Sequence, residues 1–443
     1  MLKANLKIIL ALKTFLHNVS SSEELKNHFR LSITDFTRNR KLTFDRLVLL
    51  IMKLCKKSLS IELEKYFNEL NLKTTCSVAA FSMQRLKLNP SFFISWNIVL
   101  WKTFYQEQKG RVKRWKGLRV LGCDGSSTSL VNRPCLNKYF SGQSNGHCSY
   151  VIAKTFYCFD VLNKLVLYSS IAPYRYGEFQ MACDMINRSL FEGDMLLIFD
   201  RHYSSYRIAF LFMAQETQAK FLIRVNENYN FSKYFIESKK TSAIIDLFPS
   251  DPSIKELKRC GYKVKKNQSI KVRLIKVKLP GGKIEILMTN LWEDEGYTSK
   301  EFKNLYAMRW GVETNIDFQK NILQLESSSG LTPVSVIQDF YATVFVSNLH
   351  TILTMQAQEI INQTKTDYKY PMRVNNNKAF GKIKENLIPL FITKTPIEIL
   401  ITLTNYFVKS PLPVRINRSF PRVRKNQQTR SKHRTFTNYK PTY

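Results

Sequence analysis

The chain has 443 residues, enough for a sizeable core and for two or three domains. Its 68 Lys and Arg against 34 Asp and Glu leave a formal charge of +34, which points to a polyanionic partner, because basic contacts to phosphate release counterions. No stretch reaches the roughly 18 uninterrupted apolar residues of a membrane-spanning helix, and MLKANLKIILALKTFLHN is too often polar for a signal-peptide core. Nucleic acid is therefore favoured over a membrane surface, and the expected compartment is the cytoplasm. The cysteines at 55, 76, 123, 135, 148, 158, 183 and 260 form no C-x-x-C pair, which excludes a zinc ribbon, and are expected to be reduced and mostly buried. No P-loop is present.

Residues 1 to about 110 read as helical, with 3.6-residue periodicity in TFDRLVLLIMKLCKK and IELEKYFNEL and a plausible N-cap at Thr43. In CSVAAFSMQRLKLNPSFF, a small-residue turn leads into a helix carrying Gln84, Arg85 and Lys87. It reads equally as a DNA recognition helix or as an ordinary helix of a bundle. Basic residues then crowd KGRVKRWKGLR, from Lys109 to Arg119, where they are expected to meet backbone phosphate.

Two apolar runs follow that each lead to an aspartate: LRVLGCDGSS to Asp124, and DMLLIFDRHYSSY to Asp200. Both read as buried strands ending at a loop, which would set the carboxylates at the sheet edge where open α/β sheets bind ligands. Each Asp taken alone is equally a turn or cap residue. Between them, YVIAKTFYCFDVLNKLVLYSSIAP predicts a hairpin turning at Asp160 to Lys164, and EFQMACDMINRSL a helix. After Asp200 come the helix YRIAFLFMAQ and the strand KFLIRVN. Three strands, a helix, a strand, a helix and a strand make an α/β fold with a ribonuclease-H-like mixed sheet.

From Glu227 to Tyr297 the helical periodicity fades and IKVRLIKVKLPGGKIEILMTNLW predicts a hairpin around Pro280, Gly281 and Gly282, so this segment reads as β-rich. Trp292 near its end is either a stacking platform for an extruded base or a core side chain. The stretch YAMRWGVETNIDFQK predicts one helix. At about 100° per residue, Tyr306, Arg309, Glu313 and Lys320 fall within an arc of about 60°, opposite Met308, Val312, Phe318, Ile322 and Leu323. That front is either a solvated face with an i,i+4 ion pair or a functional surface; Asp317 lies near the same arc. Asp124, Asp200 and Glu313 together make an oxygen-rich set suited to Mg²⁺ or Mn²⁺. The helical PVSVIQDFYATVFVSNLHTILTMQAQ is expected to pack on the core, and the acid-free stretch from Arg415 onward reads as a basic tail.

The three segments resemble the signature of the IS4 superfamily of DDE transposases. Asp124, Gly125 and Ser126 match its DG(T/S) context; Asp200, Arg201 and Tyr203 match DR.(F/Y), with His202 where a small residue is more usual. Tyr306, Arg309, Glu313 and Lys320 match its Y, R, E and K spacing without a gap, and the likeness runs from about Leu118 to Glu326. It implies a helical N-terminal DNA-binding domain over 1–110, a catalytic core over 111–226 and 298–360, a β-rich insertion over 227–297 and a C-terminal region over 361–443. It further implies that Asp124, Asp200 and Glu313 bind two metal ions and catalyse cleavage of transposon ends and joining of the 3′-OH to target DNA. Tyr306, Arg309, Lys320, Arg201 and Trp292 would contact DNA, with two protomers pairing on it as a homodimer. Two other classes share these features: a catalytically inactive DNA-binding protein, and a ribonuclease-H-like nuclease without strand transfer.

Overall fold

The computed structural model describes residues 1–38, 40–144, 149–188, 193–214, 219–279, 281–364 and 367–415. The basic tail, apart from Arg415, and Pro280 of the predicted turn lie outside the described residues. The central strand, β1 (Arg119–Leu130), pairs antiparallel with β2 (Ser149–Asp160), which pairs antiparallel with β3 (Leu165–Pro173). On its other side β1 runs parallel to β4 (Met195–Phe199), and β4 parallel to β5 (Lys220–Arg224). Two helices, Glu178–Asn187 and Tyr206–Met213, lead into β4 and out of it. The order β3-β2-β1-β4-β5 is a ribonuclease-H-like mixed sheet, as the sequence predicts.

Alternation along these strands sends side chains to opposite faces. Leu121, Leu197, Phe199, Phe221 and Ile223 join the large core shared with the N-terminal helices. Val120, Leu196, Ile198 and Leu222 form a second core beneath Phe302 and Leu305. The 2-to-1 excess of basic residues leaves β4 untouched: every residue of it is 2 % exposed or less.

The segment 227–297 departs from its reading in two ways. Its strands β6 (Ser242–Leu247), β7 (Ile270–Lys278) and β8 (Ile284–Thr289) continue the central sheet, because β8 pairs antiparallel with β5. With Gln143–Ser144 on β2, the described residues form one nine-stranded sheet. Pairing of β8 satisfies a sheet edge that would otherwise expose unpaired backbone groups. The segment also contains two helices, Asn230–Glu237 and Asp251–Arg259. The second has Ser250 accepting from the Ser253 N–H, Pro252 in its first turn, Asp251 at its start and Lys258 and Arg259 at its end, which are helix start and stop signals.

The described part of the N-terminal region is built of helices joined by turns, with its longest helices at Leu2–Ser21 and Ser91–Glu107. They pack on the 32-residue helix Pro333–Thr364, where Trp96 stacks on Phe345 with ring centres 4.2 Å apart. The helix Val78–Arg85 belongs to this bundle, and its polar side chains point inward. Gln84 donates to the Leu42 carbonyl. Arg85 is 2 % exposed and donates to Gln338 Oε1 at 3.0 Å, Ser329 Oγ at 2.7 Å, the Ser335 carbonyl at 3.1 Å and Asp339 Oδ1 at 2.9 Å. The recognition-helix reading therefore fails for Gln84 and Arg85. Much of the basic run before β1 is also engaged within the protein: Arg114 and Arg119 both pair with Asp194, Lys116 with Glu301 and Arg111 with Glu359.

Four of the described cysteines, Cys55, Cys123, Cys158 and Cys183, are buried thiols, and Cys135 and Cys260 are exposed. No described helix is long and apolar enough to cross a membrane. Arg85→Ala would leave Asp339 buried without its cation, so a loss of about 3–5 kcal/mol is expected in denaturant unfolding. A loss under about 1 kcal/mol would mean that the pair is not a strut of the fold.

Candidate active site

Asp200 directly follows β4, as predicted, and caps a short turn by accepting from the His202 N–H at 2.8 Å. Asp124 departs from the reading: β1 continues past it to Leu130, so the residue lies within the strand. It still reaches a sheet edge, because parallel pairing with β4 stops at Gly122 with Ile198. Asp124 and Asp200 each lie two residues beyond that last pair, on the face of Val120 and Ile198.

The predicted single helix is divided. Phe302–Ala307 and Trp310–Asp317 are joined by a tight turn in which Met308 and Arg309 donate to the carbonyls three residues back, and Phe318–Ile322 is a π-turn. Gly122 lets this segment approach β1. A Cβ there would meet Val161 Cγ1 at 3.1 Å, the Arg309 carbonyl at 3.4 Å and Val312 Cβ at 3.4 Å. Gly311 faces the same valine from the other side, with a built Cβ 3.1 Å from Val161 Cβ.

This approach brings the predicted polar groups to β1. Arg309, 8 % exposed, donates from Nη2 to Glu313 Oε1 at 2.8 Å and from Nη1 to Asp124 Oδ2 at 3.5 Å. The Tyr306 and Trp310 rings lie 5.9 and 5.6 Å from its guanidinium carbon. Lys320 donates to the Ser127 carbonyl at 2.7 Å. Asp317 accepts from Asn321 at 2.6 Å and takes no part in this constellation. Arg201 is exposed beside Asp200. Trp292 is half-buried beyond β8, with no ring contact or side-chain hydrogen bond to Tyr306, Arg309 or Glu313 among the described residues.

Burial is the largest influence on Asp124 and pushes its pKa up; Arg309 pulls it down, and the charges of Asp200 and Glu313 push it up again, leaving it at about 7. Burial opposes the charge on Arg309, but Tyr306, Glu313 and Asp124 outweigh it and raise that pKa. Tyr306 is pushed up to about 12, first by burial. Among the described residues no three His, Cys, Asp or Glu side chains are drawn together as a metal-binding group, and Arg309 stands between Asp124 and Glu313. The donor set is nonetheless all carboxylate oxygen with one member poorly solvated as an anion, a chemistry that suits a hard divalent cation.

Lys154 and Glu178, beside Asp124, escaped the sequence reading, and Tyr203 of the second motif lies within reach of the same charges. Lys154 on β2 donates to Ser127 Oγ at 3.1 Å and to Glu178 Oε1 at 2.7 Å. A Cβ on Gly125 would lie 2.4 Å from the Glu178 carboxyl, so the glycine after Asp124 leaves room for that side chain. The Tyr203 hydroxyl is buried without a hydrogen-bond partner among the described residues, and burial followed by the charges of Asp124, Glu178 and Asp200 pushes its pKa well up. A lysine inside the apolar run YVIAKTFYCFD was the available signal.

In this mixed sheet Asp124 and Asp200 lie at one edge, and Arg309 joins Asp124 to the helix-borne Glu313. A model of the transposase DDE domain matches residues 115–349, more than half of the chain, and the chain belongs to that family of DNA-transposing enzymes. No curated protein matches it significantly. Among solved structures, it is similar to a piggyBac transposase in a synaptic complex with hairpin DNA, at 11% identity and a TM-score of 0.41, over 98% of this chain and 91% of that one.

The Asp124 pKa sets a pH dependence in metal-free protein. The folded chain keeps a proton that the unfolded chain releases near the ordinary carboxylate value of about 3.9, so this residue's contribution to stability falls as pH rises from about 4 to about 7. In EDTA, Asp124→Asn should therefore melt higher than the parent protein at pH 8 and alike near pH 4. Equal melting temperatures at both pH values would show that Asp124 is not destabilised as an anion.

Proposed function

We propose that the chain is a cut-and-paste transposase of the IS4 type, which nicks the ends of its element and joins the 3′-OH to target DNA. The observation that carries this reading is Arg309, whose guanidinium spans Asp124 and Glu313 inside the family's domain. Asp124, Asp200 and Glu313 would hold Mg²⁺ or Mn²⁺, two ions in all. Bound there, the ions supply Lewis-acid activation of the attacking oxygen and neutralise charge on the leaving one.

The remaining side chains position DNA. Arg309 is already desolvated, and exchanging the Glu313 carboxylate for a phosphate oxygen keeps its 2.8 Å charge-assisted bond. Lys320 and the exposed Arg201 add charge on either side of the carboxylates, and Tyr306 offers a phenol that burial keeps protonated. Trp292 is assigned the extruded base, and two protomers would pair on the DNA. The high positive charge brings DNA in the cytoplasm to this surface.

The direct test uses labelled duplexes carrying the inverted repeats that flank the gene. With Mg²⁺, the native protein should cleave them and transfer the 3′ end to a target. Asp124→Ala, Asp200→Ala and Glu313→Ala should each lower cleavage by more than about 10²-fold while duplex binding persists; full cleavage by any one overturns the assignment. Cleavage without joining identifies a nuclease, and binding without cleavage an inactive DNA-binding protein. Lys320→Ala should weaken binding and reduce the salt dependence by about one phosphate contact. An unchanged salt slope removes Lys320 from the DNA surface.

A further inference from the structure

A cavity of about 450 Å³ lies behind the helix Trp310–Asp317, between it, the helix Pro333–Thr364 and the β2–β3 turn. Gly311, Thr314 and Asn315 face it, whereas Glu313 does not. Its apolar wall comes from Phe104, Phe159, Phe318 and Met355. Its polar wall includes two side chains more than nine-tenths buried, His350 and Asn315, whose Nε2 and Nδ2 atoms have no hydrogen-bond partner among the described residues. Such atoms are costly to bury unless something pairs with them.

The mouth is basic. Arg111, Lys113, Lys164 and Arg373 all line it and are exposed. Arg111 is paired with Glu359 at 3.3 Å; the other three have no carboxylate within ion-pair distance among the described residues. Burial, then the nearby charges of Lys113 and Arg373, lower the Lys164 pKa, so these three cations crowd one another. Burial holds the His350 imidazole neutral at pH 7, able to donate or accept.

We propose that this cavity binds one nucleotidyl group, its base against the aromatic wall and the His350 and Asn315 edge, its phosphate on Lys113, Lys164 and Arg373. The volume and the mixture of aromatic wall, few polar atoms and charged mouth are those of a small-ligand site. An apolar ligand would leave the amide, imidazole and cations unpaired. Inorganic phosphate would use the cations and leave most of the cavity unfilled. A base with its phosphate uses all three parts, whether it is a free mononucleotide or one nucleotide of a strand.

Equilibrium dialysis of the full chain with radiolabelled dAMP tests this. One dAMP should bind per chain, and unlabelled deoxyadenosine should compete at least about tenfold more weakly, since it lacks the charge-assisted phosphate bonds. Thr351→Trp, which fills the cavity, and the exposed double substitution Lys164→Glu with Arg373→Glu should each weaken dAMP binding at least about tenfold, with unchanged far-ultraviolet circular dichroism. A single-stranded hexanucleotide that displaces dAMP identifies a DNA strand as a source of the group. Failure to displace it identifies the free nucleotide, and either result supports the site. Equal dAMP binding by the parent and the charge-reversed protein, or equal competition by deoxyadenosine and dAMP, overturns the proposal whatever the fate of Thr351→Trp.

Discussion

The negative charges of Asp200 and Glu313 oppose ionisation of the poorly solvated Asp124, the third acid, and Arg309 makes that neighbourhood tolerable. It is buried, it reaches two of the three, and its own charge is sustained by the acids it joins. Buried charges persist only when paired. The local architecture follows from this need. The parallel register brings Asp124 and Asp200 level, Gly122 and Gly311 remove the Cβ atoms that would hold the helix away, and the tight turn at Met308 and Arg309 carries the guanidinium over β1.

The elements around the site keep that arrangement in place. The strand β8 closes the edge of the five-stranded core, and the N-terminal helices are tied to Pro333–Thr364 by Arg85 and Asp339. Much of the basic stretch before β1 is occupied with Asp194, Glu301 and Glu359. The charge available to a polyanion is therefore smaller there than the sequence suggests, and residue count is a poor guide to which cations are free.

The order of strands and helices across the core was legible because each core strand is an apolar run bounded by turn residues, and both faces of the sheet are covered. The Tyr306, Arg309, Glu313, Lys320 spacing was legible because it is local, but the single helix it implied is divided at Met308 and Arg309 and changes to a π-turn at Phe318. Asp124 was read as a strand end because its apolar run stops there. The strand continues through Gly125 to Leu130 because β2 supplies ten consecutive partners, Leu121 to Leu130, and no local rule sees a partner. The helices Asn230–Glu237 and Asp251–Arg259, of 8 and 9 residues, were missed because they are too short for a long periodic run, although the Ser250 cap was visible.

Sequence alone determined the kind of groups present and their order along the chain: two aspartates after apolar runs, and a mostly helical segment carrying Arg, Glu and Lys. These depend on bond geometry and periods of 2 and 3.6, which a single element already possesses. Only the tertiary structure decided distance and environment. It set Arg309 against both Asp124 and Glu313, buried Arg85 away from any DNA, and raised Asp124 to a pKa of about 7. Those outcomes depend on register, on close approach at two glycines and on the exclusion of water, which arise when elements distant in the chain are packed together.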